Sequence, residues 1–355
     1  MPGKLKTYGF INAKIRARLA ELLTEEDFSD LIKAGSAEEA VQMLREKGAY
    51  AEEISEYGST GDVRAVEFAL MVHEIHLLRD LLKNLPGKPA DFTENLLLRY
   101  EVETLKNALR LWFERSVRGR NIAGGSSYLY THRIIHDIPY DAVVDAETAG
   151  DLPEVLKGTP YSELISPLIP EMEANRHLFP LEIALDYYYF SRLLGSAESL
   201  SGKDRKIALR VIGMEVDLLN IDRIVRFVSF YRNEEREKWD LILPGGRIEK
   251  AVLKRAYMQD NIENALATLL SKEYRGYRAF AELEGGDPYT YLQGVEDMLR
   301  RILYDEVKRL LWGNPFTVGT ILAYLFLKRK EVRSVVRLLN AKQYGLSEER
   351  IREVL

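Results

Sequence analysis

Histidine is the side chain whose ordinary titration falls nearest neutrality, and four of the five histidines here sit in two tight pairs. The first pair is HRIIH, residues 132–136. His132 and His136 stand four apart, a spacing that on one helical face suits two metal ligands. The zinc-protease motif wants Glu directly after the first His. This chain has Arg133 there, and a cation opposes a second cation. The second pair is HEIH, residues 73–76, with His73 and His76 three apart and Glu74 off their face. Neither pair brings the third and fourth ligands that a site needs. Both therefore read as structural or surface histidines, with no metal expected; an enzyme built on them is the rival that metal analysis decides.

Other catalytic patterns are equally thin. The nearest approach to a phosphate loop, GSAESLSGKD (195–204), has the wrong spacing and lacks Ser or Thr after its Lys. There is no GxGxxG, EF-hand loop or GxSxG elbow. The pairs Glu25–Glu26, Glu38–Glu39, Glu52–Glu53 and Glu348–Glu349 read as solvated faces or first-turn residues favoured by the helix dipole. Nothing marks a general acid and its base. YYY at 187–189, inside EIALDYYYFSRLL, reads as core or interface, because an aromatic box for a cofactor also needs convergent polar groups. No catalytic residue, no cofactor and no small-molecule substrate is expected.

The elements that carry these residues are helical almost throughout. Phe10 to Leu23 and Val66 to Leu85 place apolar residues at helical spacing, and they end near the loop signals LTEED and NLPGKP. Asn314 before Pro315 has the form of a helix start. DLILPGG (240–246) is one of few stretches with strand character. The fold class predicted is all-α.

One helix is written three times. EVETLKNALRL (101–111), DLLNIDRIVRF (217–227) and KRKEVRSVVRL (328–338) align with apolar residues in the same columns. The stripes are Leu105, Ala108, Leu109, Trp112; Ile221, Ile224, Val225, Val228; and Val332, Val335, Val336, Leu339. Each follows i, i+3, i+4, i+7, one buried face of a helix. Upstream, SAEEAVQMLREKGAY (36–50), DLPEVLKGTPY (151–161) and DNIENALATLLSKEY (260–274) each read as a short helix ending at Tyr. Two glycines recur at Gly124–Gly125 and Gly245–Gly246. The chain therefore reads as three diverged helical units, 1–118, 119–235 and 236–355. Each is long enough for a small core. Three like units most simply arrange about a quasi-three-fold axis, an arrangement that can leave a hollow along it.

The tenth place of each copy is arginine: Arg110, Arg226 and Arg337. Such a residue is ordinarily a flank whose stem covers the core edge while its head stays wet. The sharper alternative is a ring of three equivalent cations that grips an acidic or polar partner, a candidate partner interface.

Composition bounds the rest. The chain has 355 residues, 46% hydrophobic and 30% charged, with a net charge of −5. It can bury a core, and it offers no general attraction to nucleic acid. Cysteine is absent, which removes disulfides, thiolate metal sites and a Cys nucleophile. The N-terminus, MPGKLKTYGFINAKIRAR, lacks the apolar core of a secretory signal. FTVGTILAYLFL (316–327) is too short to span a bilayer and reads as a buried helix.

Both ends of the chain carry a resemblance. YGFINAKIRARLAELL (8–23) supplies Tyr8, Phe10, Asn12, Ala13, Lys14, Arg16, Arg18, Leu22 and Leu23. The closing segment supplies Tyr324, Lys328, Glu331, Val332, Arg333 and Arg337, then Gly345, Leu346, Glu349, Ile351 and Arg352. With the ILPGG turn (242–246), these resemble the C subunit of the V-type (A-type) ATPases of archaea and bacteria, a family similar to the d subunit of the eukaryotic vacuolar enzymes. The resemblance covers essentially the whole chain, and none of its motifs is catalytic. It implies a funnel of three helical units and a non-catalytic rotor part of the central stalk. It implies the membrane proteolipid ring and the central shaft subunits as partners, torque transfer for ion transport and ATP synthesis or hydrolysis, and a peripheral position on the cytoplasmic face of the membrane. A helical adapter outside any ATPase is the alternative.

Overall fold

The computed structural model describes residues 2–47, 50, 61–122, 124–230, 242–277 and 288–355. Among these, every regular element is a helix and no strand forms, which is the all-α architecture expected. Two of the sequence features fall outside the described residues: the Glu52–Glu53 pair and the unit boundary near 235. DLILPGG lies partly outside them, and its remainder from residue 242 is turn and bend.

The elements in chain order are α1 Pro2–Ala20, α2 Glu25–Lys33, α3 Ala37–Glu46, α4 Val63–Leu82 and α5 Gly87–Ser116. Short helices follow: α6 Tyr140–Asp145, α7 Leu152–Val155, α8 Pro160–Ile165 and α9 Ile169–Asn175. Then come α10 Phe179–Ser199, α11 Gly202–Phe230, α12 Lys250–Tyr257 and α13 Ile262–Leu269. The last are α14 Pro288–Trp312, α15 Val318–Gln343 and α16 Glu348–Val354.

Local chemistry sets many of the ends. Thr24 and Asp27 form a reciprocal capping box on α2. The Ser36 side chain accepts the Glu39 N–H at the start of α3, and Asn261 accepts the Asn264 N–H at the start of α13. Each cap satisfies a donor that the helix itself leaves open. Glu25–Glu26, Glu38–Glu39 and Glu348–Glu349 all lie in first turns, where the helix dipole favours them.

Three local expectations are corrected. Asn314–Pro315 does not start a helix: α15 begins at Val318, and Asn314 instead accepts the Phe316 N–H within the loop. The first donors of α15 go to Asp204 and to the Thr317 hydroxyl, so a side chain from elsewhere in the fold moved the start. Tyr161 does not end its short helix; it lies inside α8, because Thr159 and Pro160 open a new helix there. HRIIH is not helical, so His132 and His136 share no helical face.

The chain gathers into two compact units, Met1–Leu185 with Thr320–Leu355, and Asp186–Gly319. The first unit contains two packing centres. In one, Val332, Val335, Leu338 and Leu339 of α15 meet Leu31 and Ile32 of α2, Ala40, Val41 and Leu44 of α3, and Ile351 of α16. In the other, α5 packs on α6. There the stripe Leu105, Ala108, Leu109 and Trp112 is buried, as are Val143, Val144, Leu152, Leu156 and Ile165 of the short helices. The Trp112 indole N–H donates to the Ala146 carbonyl at 3.0 Å.

The second unit repeats the plan. Ile221, Ile224, Val225 and Val228 of α11 pack with Val252, Leu253 and Ala256 of α12 and with Ala265, Leu266 and Leu269 of α13. Phe227 stacks on Tyr257 with ring centroids 4.2 Å apart. All three repeated stripes are therefore covered by knots of short helices. Each buried aliphatic side chain contributes roughly 1.5–3 kcal/mol by leaving water.

FTVGTILAYLFL is the buried start of α15, with residues 317–326 all buried. No helix among the described residues is long and apolar enough to cross a membrane. The stripe makes a direct test of the packing. Leu109→Ala, at a site with no exposure, is expected to lower stability by about 2–5 kcal/mol, read from urea unfolding followed by circular dichroism.

Candidate functional site

Buried charge is concentrated where the long helices meet the knots of short ones. Glu101, on α5 next to the apolar stripe, has no exposure at all. Its Oε2 accepts the backbone N–H groups of Ile135 and His136 at 2.7 and 2.8 Å. Its Oε1 takes the His136 ring Nδ1 at 2.6 Å and the Tyr161 hydroxyl at 2.7 Å. Four polar groups converge on one carboxylate, which is what keeps a buried anion tolerable. This also explains the conformation of HRIIH: the N–H groups of residues 135 and 136 point at Glu101 and are not free to build a helix.

Asp217 occupies the matching position on α11. It too is fully buried. It accepts the Arg247 and Ile248 N–H groups at 3.0 Å each and the Tyr274 hydroxyl at 2.8 Å. Burial pushes the Asp217 carboxyl above its ordinary range, against the pull of these donors. Burial, with the adjoining carboxylate, likewise raises the Tyr274 hydroxyl, so it stays a donor. The double glycine of ILPGG has its reason here. A Cβ on Gly246 would sit 2.2 Å from Asp217 Oδ1, so only glycine lets the backbone pass close enough to deliver the next two N–H groups.

Glu331 on α15 completes the set. It accepts the Leu23 N–H and the Tyr50 hydroxyl. Lys328, one helical turn away, donates to Glu331 Oε1 at 2.9 Å and to the Tyr50 oxygen at 2.8 Å. The same ammonium lies over the Tyr50 ring, 4.1 Å from its centroid, a favourable cation–π contact. Beside this cluster is Glu74 of α4. Its Oε2 accepts the Tyr100 hydroxyl at 3.2 Å, while its buried Oε1 has no hydrogen-bond partner among the described residues. The Arg329 Nε donates to the Tyr100 oxygen at 3.3 Å. Burial raises the Glu74 carboxyl, and the nearby Arg329 only partly opposes this; burial likewise pushes the Tyr100 hydroxyl up to about 12.

Glu101, Asp217 and Glu331 were not among the candidates that residue chemistry suggested. The signal was present. Glu101 and Asp217 open their two aligned stretches, the third has Lys328 in that place with Glu331 three residues on, and each preceding short-helix segment ends at Tyr50, Tyr161 or Tyr274. Only the pairing of the two columns was missing.

The three repeated arginines sit differently. Arg110 is half exposed, and its Nε donates to Glu182 at 2.6 Å and its Nη1 to Asn107 at 3.0 Å. Arg226 is also half exposed and pairs with Asp222, one turn back, at 3.0 Å. Arg337 is half-buried on α15. The guanidinium groups of Arg110 and Arg226 are thus already held by carboxylates of the same chain. Arg110 and Arg337 belong to one compact unit and Arg226 to the other.

The histidines divide between packing and the surface: His73 and His136 are half-buried, while His76 and His132 are exposed. His136 serves Glu101, the His132 ring meets the edge of Tyr130, and the His73 ring approaches Tyr50. Among the described residues no three His, Asp or Glu side chains come together in a way that could hold a metal ion. YYY is split: Tyr189 is buried against Phe190, while Tyr187 is half exposed. An open groove of about 430 Å³ runs past Trp112, Ser116, Thr148, Met172 and Arg176. Ser116 there donates to the Ala146 carbonyl and Arg176 to the Val117 carbonyl.

Together these features define an all-helical protein whose buried carboxylates bind its long helices to knots of short ones. The chain belongs to the ATP synthase (C/AC39) subunit family, which matches residues 11–354. It is similar to the C subunit of the A-type ATP synthase of Pyrococcus horikoshii, with 27% identity over 353 residues, 99% of this chain and 91% of that protein. It is likewise similar to the C subunit of the Pyrococcus abyssi enzyme, 25% identical over 99% of this chain and 91% of that one. The corresponding C subunit of Methanosphaera stadtmanae is 25% identical over 95% of this chain and 84% of that protein.

Two outcomes follow for the buried groups. Gly246→Ala is expected to lower the thermal midpoint, because the new methyl displaces Asp217 from its donors; calorimetry of the purified chain reads this. For Glu74 the raised carboxyl means that the folded state holds its proton more tightly than the unfolded state. Its stabilising effect is complete below the unfolded value near 4.5 and is lost as pH rises through the folded value. Glu74→Gln should therefore raise the melting temperature at pH 7, with the gain shrinking towards pH 4 in a series of thermal melts.

Proposed function

We propose that this chain is a non-catalytic rotor part of the central stalk of a V/A-type ATPase or ATP synthase, coupling the membrane proteolipid ring to the central shaft. The observation that carries this reading is the family match over residues 11–354 in a chain whose buried Glu101, Asp217 and Glu331 are spent on holding helices to short-helix knots. In this role the protein lies peripherally on the cytoplasmic face of the membrane, and the chemistry of ATP takes place on other chains. Its partners are the proteolipid ring and the shaft subunits. Its three sequence units, 1–118, 119–235 and 236–355, together build a funnel around a hollow.

The physical demand on such a part is stiffness at two interfaces. Close-packed helix contacts deform little, and buried charges with converging donors add directional ties to that packing. Each interface needs more than roughly 1,000 Å² to hold. Exposed large apolar residues that such contacts would cover include Phe10, 61% exposed, and Trp312, 89% exposed. Arg110, Arg226 and Arg337 are carried forward as contacts for an acidic partner surface, which would compete with Glu182 and Asp222 for the first two.

Affinity capture of the tagged chain from solubilised membranes is expected to bring down a proteolipid ring and stalk subunits. Recovery without them, as a free helical adapter, would overturn the rotor role. The arginines have their own test. The exchange Arg110→Glu with Glu182→Lys keeps an internal ion pair while reversing the charge presented. It should preserve the melting temperature and weaken shaft binding at least tenfold by interferometry; unchanged binding removes Arg110 from the interface.

A further inference from the structure

The three buried carboxylates make one arrangement three times, and its third instance joins the two ends of the chain. In each instance a long-helix carboxylate accepts a backbone N–H just ahead of a knot of short helices and then a tyrosine hydroxyl at the knot's far side. For Glu101 these are Ile135 and Tyr161; for Asp217, Ile248 and Tyr274; for Glu331, Leu23 and Tyr50. The intervals Ile135–Tyr161, Ile248–Tyr274 and Leu23–Tyr50 differ in length by no more than one residue. The second helical element of each knot starts at an equivalent place, after Ser36, Thr148 and Asn261.

The chain order differs. Glu101 and Asp217 precede the knots they hold, whereas Glu331 lies 281 residues after Tyr50. We infer that the structural module of this protein is permuted against its sequence repeat, and that Lys328, Glu331 and Tyr50 form a tail-to-head clasp by which the last long helix, α15, completes the N-terminal module. On this assignment the modules are the helix at 101 with its knot to 161, the helix at 217 with its knot to 274, and the helix at 328 with α16 and the knot from 23 to 50.

Other contacts point the same way. The apolar core of the third module draws Leu31, Ala40 and Leu44 from one end of the chain and Val335, Leu339 and Ile351 from the other. The Lys342 ammonium donates to the carbonyls of Ile32 and Ala34 at the end of α2, the helix terminus where a cation is favoured. α16 packs directly on α2. Among the described donors the clasp differs in chemistry from the other two, as Glu101 differs in also taking the His136 ring. Where Glu101 and Asp217 each take two backbone N–H groups, Glu331 takes one, and the Lys328 ammonium supplies the balance. Peptide connectivity ties the helix to its knot in the other two modules. In the third there is no such link, and a charged tie stands in its place.

The full-length chain tests this by hydrogen exchange with mass spectrometry, comparing Tyr50→Phe, Lys328→Met and Tyr274→Phe. Tyr50→Phe is expected to speed exchange about tenfold, the scale of one buried hydrogen bond to a charged group, in peptides from 25–47 and from 332–352 together. Peptides from 250–269 should keep their protection. Tyr274→Phe should do the converse. Lys328→Met, which leaves Glu331 buried without its cation, gives the same pattern in stronger form should the effect of Tyr50→Phe be too small to read. Loss of protection at 25–47 while 332–352 stays unchanged overturns the clasp. So does a loss spread equally to 250–269, or exchange unchanged everywhere.

Discussion

A carboxylate without water must be met by donors, and this constraint shapes the chain wherever a long helix turns into a knot. Moving an ionised carboxylate from water into an apolar interior costs several kcal/mol even after relaxation. Glu101, Asp217 and Glu331 are 0%, 0% and 5% exposed, so their surroundings have to be built around them. The chain does so with backbone N–H groups that are thereby withdrawn from helix formation. That is why the segments at 135–136 and 247–248 are irregular, why Gly246 passes without a side chain, and why a tyrosine stands at a fixed interval beyond each. The polar tie and the apolar stripe are adjacent on the same helix, so one contact surface carries both strength and direction.

The two contributions do different work. Apolar stripes bury area and provide most of the stability, but Leu on Ala or Val on Leu packs acceptably in more than one register. A carboxylate with several converging donors tolerates only one. Each tie therefore fixes where along the helix its knot sits. Glu74 shows the opposite case. One of its oxygens is buried without a hydrogen-bond partner among the described residues, so it weakens the site that it occupies and depends on neighbouring cations to remain tolerable.

Much of the fold was legible in the residues. Helical periodicity identified the long helices, the three stripes proved to be buried faces, and Ser36 and the paired glutamates marked helix starts. The failures share one cause. HRIIH looked helical and Asn314–Pro315 looked like a cap because local spacing permits both. Glu101 in one case and Asp204 in the other then claimed the backbone donors from a distance in sequence. The arginines in the tenth place were visible as a repeat, yet Glu182, which holds Arg110, lies 72 residues away, beyond any local pattern. The carboxylates themselves were passed over because a single Glu at the edge of an amphipathic helix is ordinarily wet.

What the sequence determined by itself is the class of the molecule: an all-helical, cysteine-free chain with a helix written three times, whose two ends carry the residues of its family. Those properties follow from composition and short-range spacing, which act within a few turns of chain. Only the tertiary structure decided which knot each helix holds, and that the last long helix holds the first knot. Burial is a property of the assembled core, and a carboxylate becomes a tie only when folding removes its water and brings donors from elsewhere in the chain.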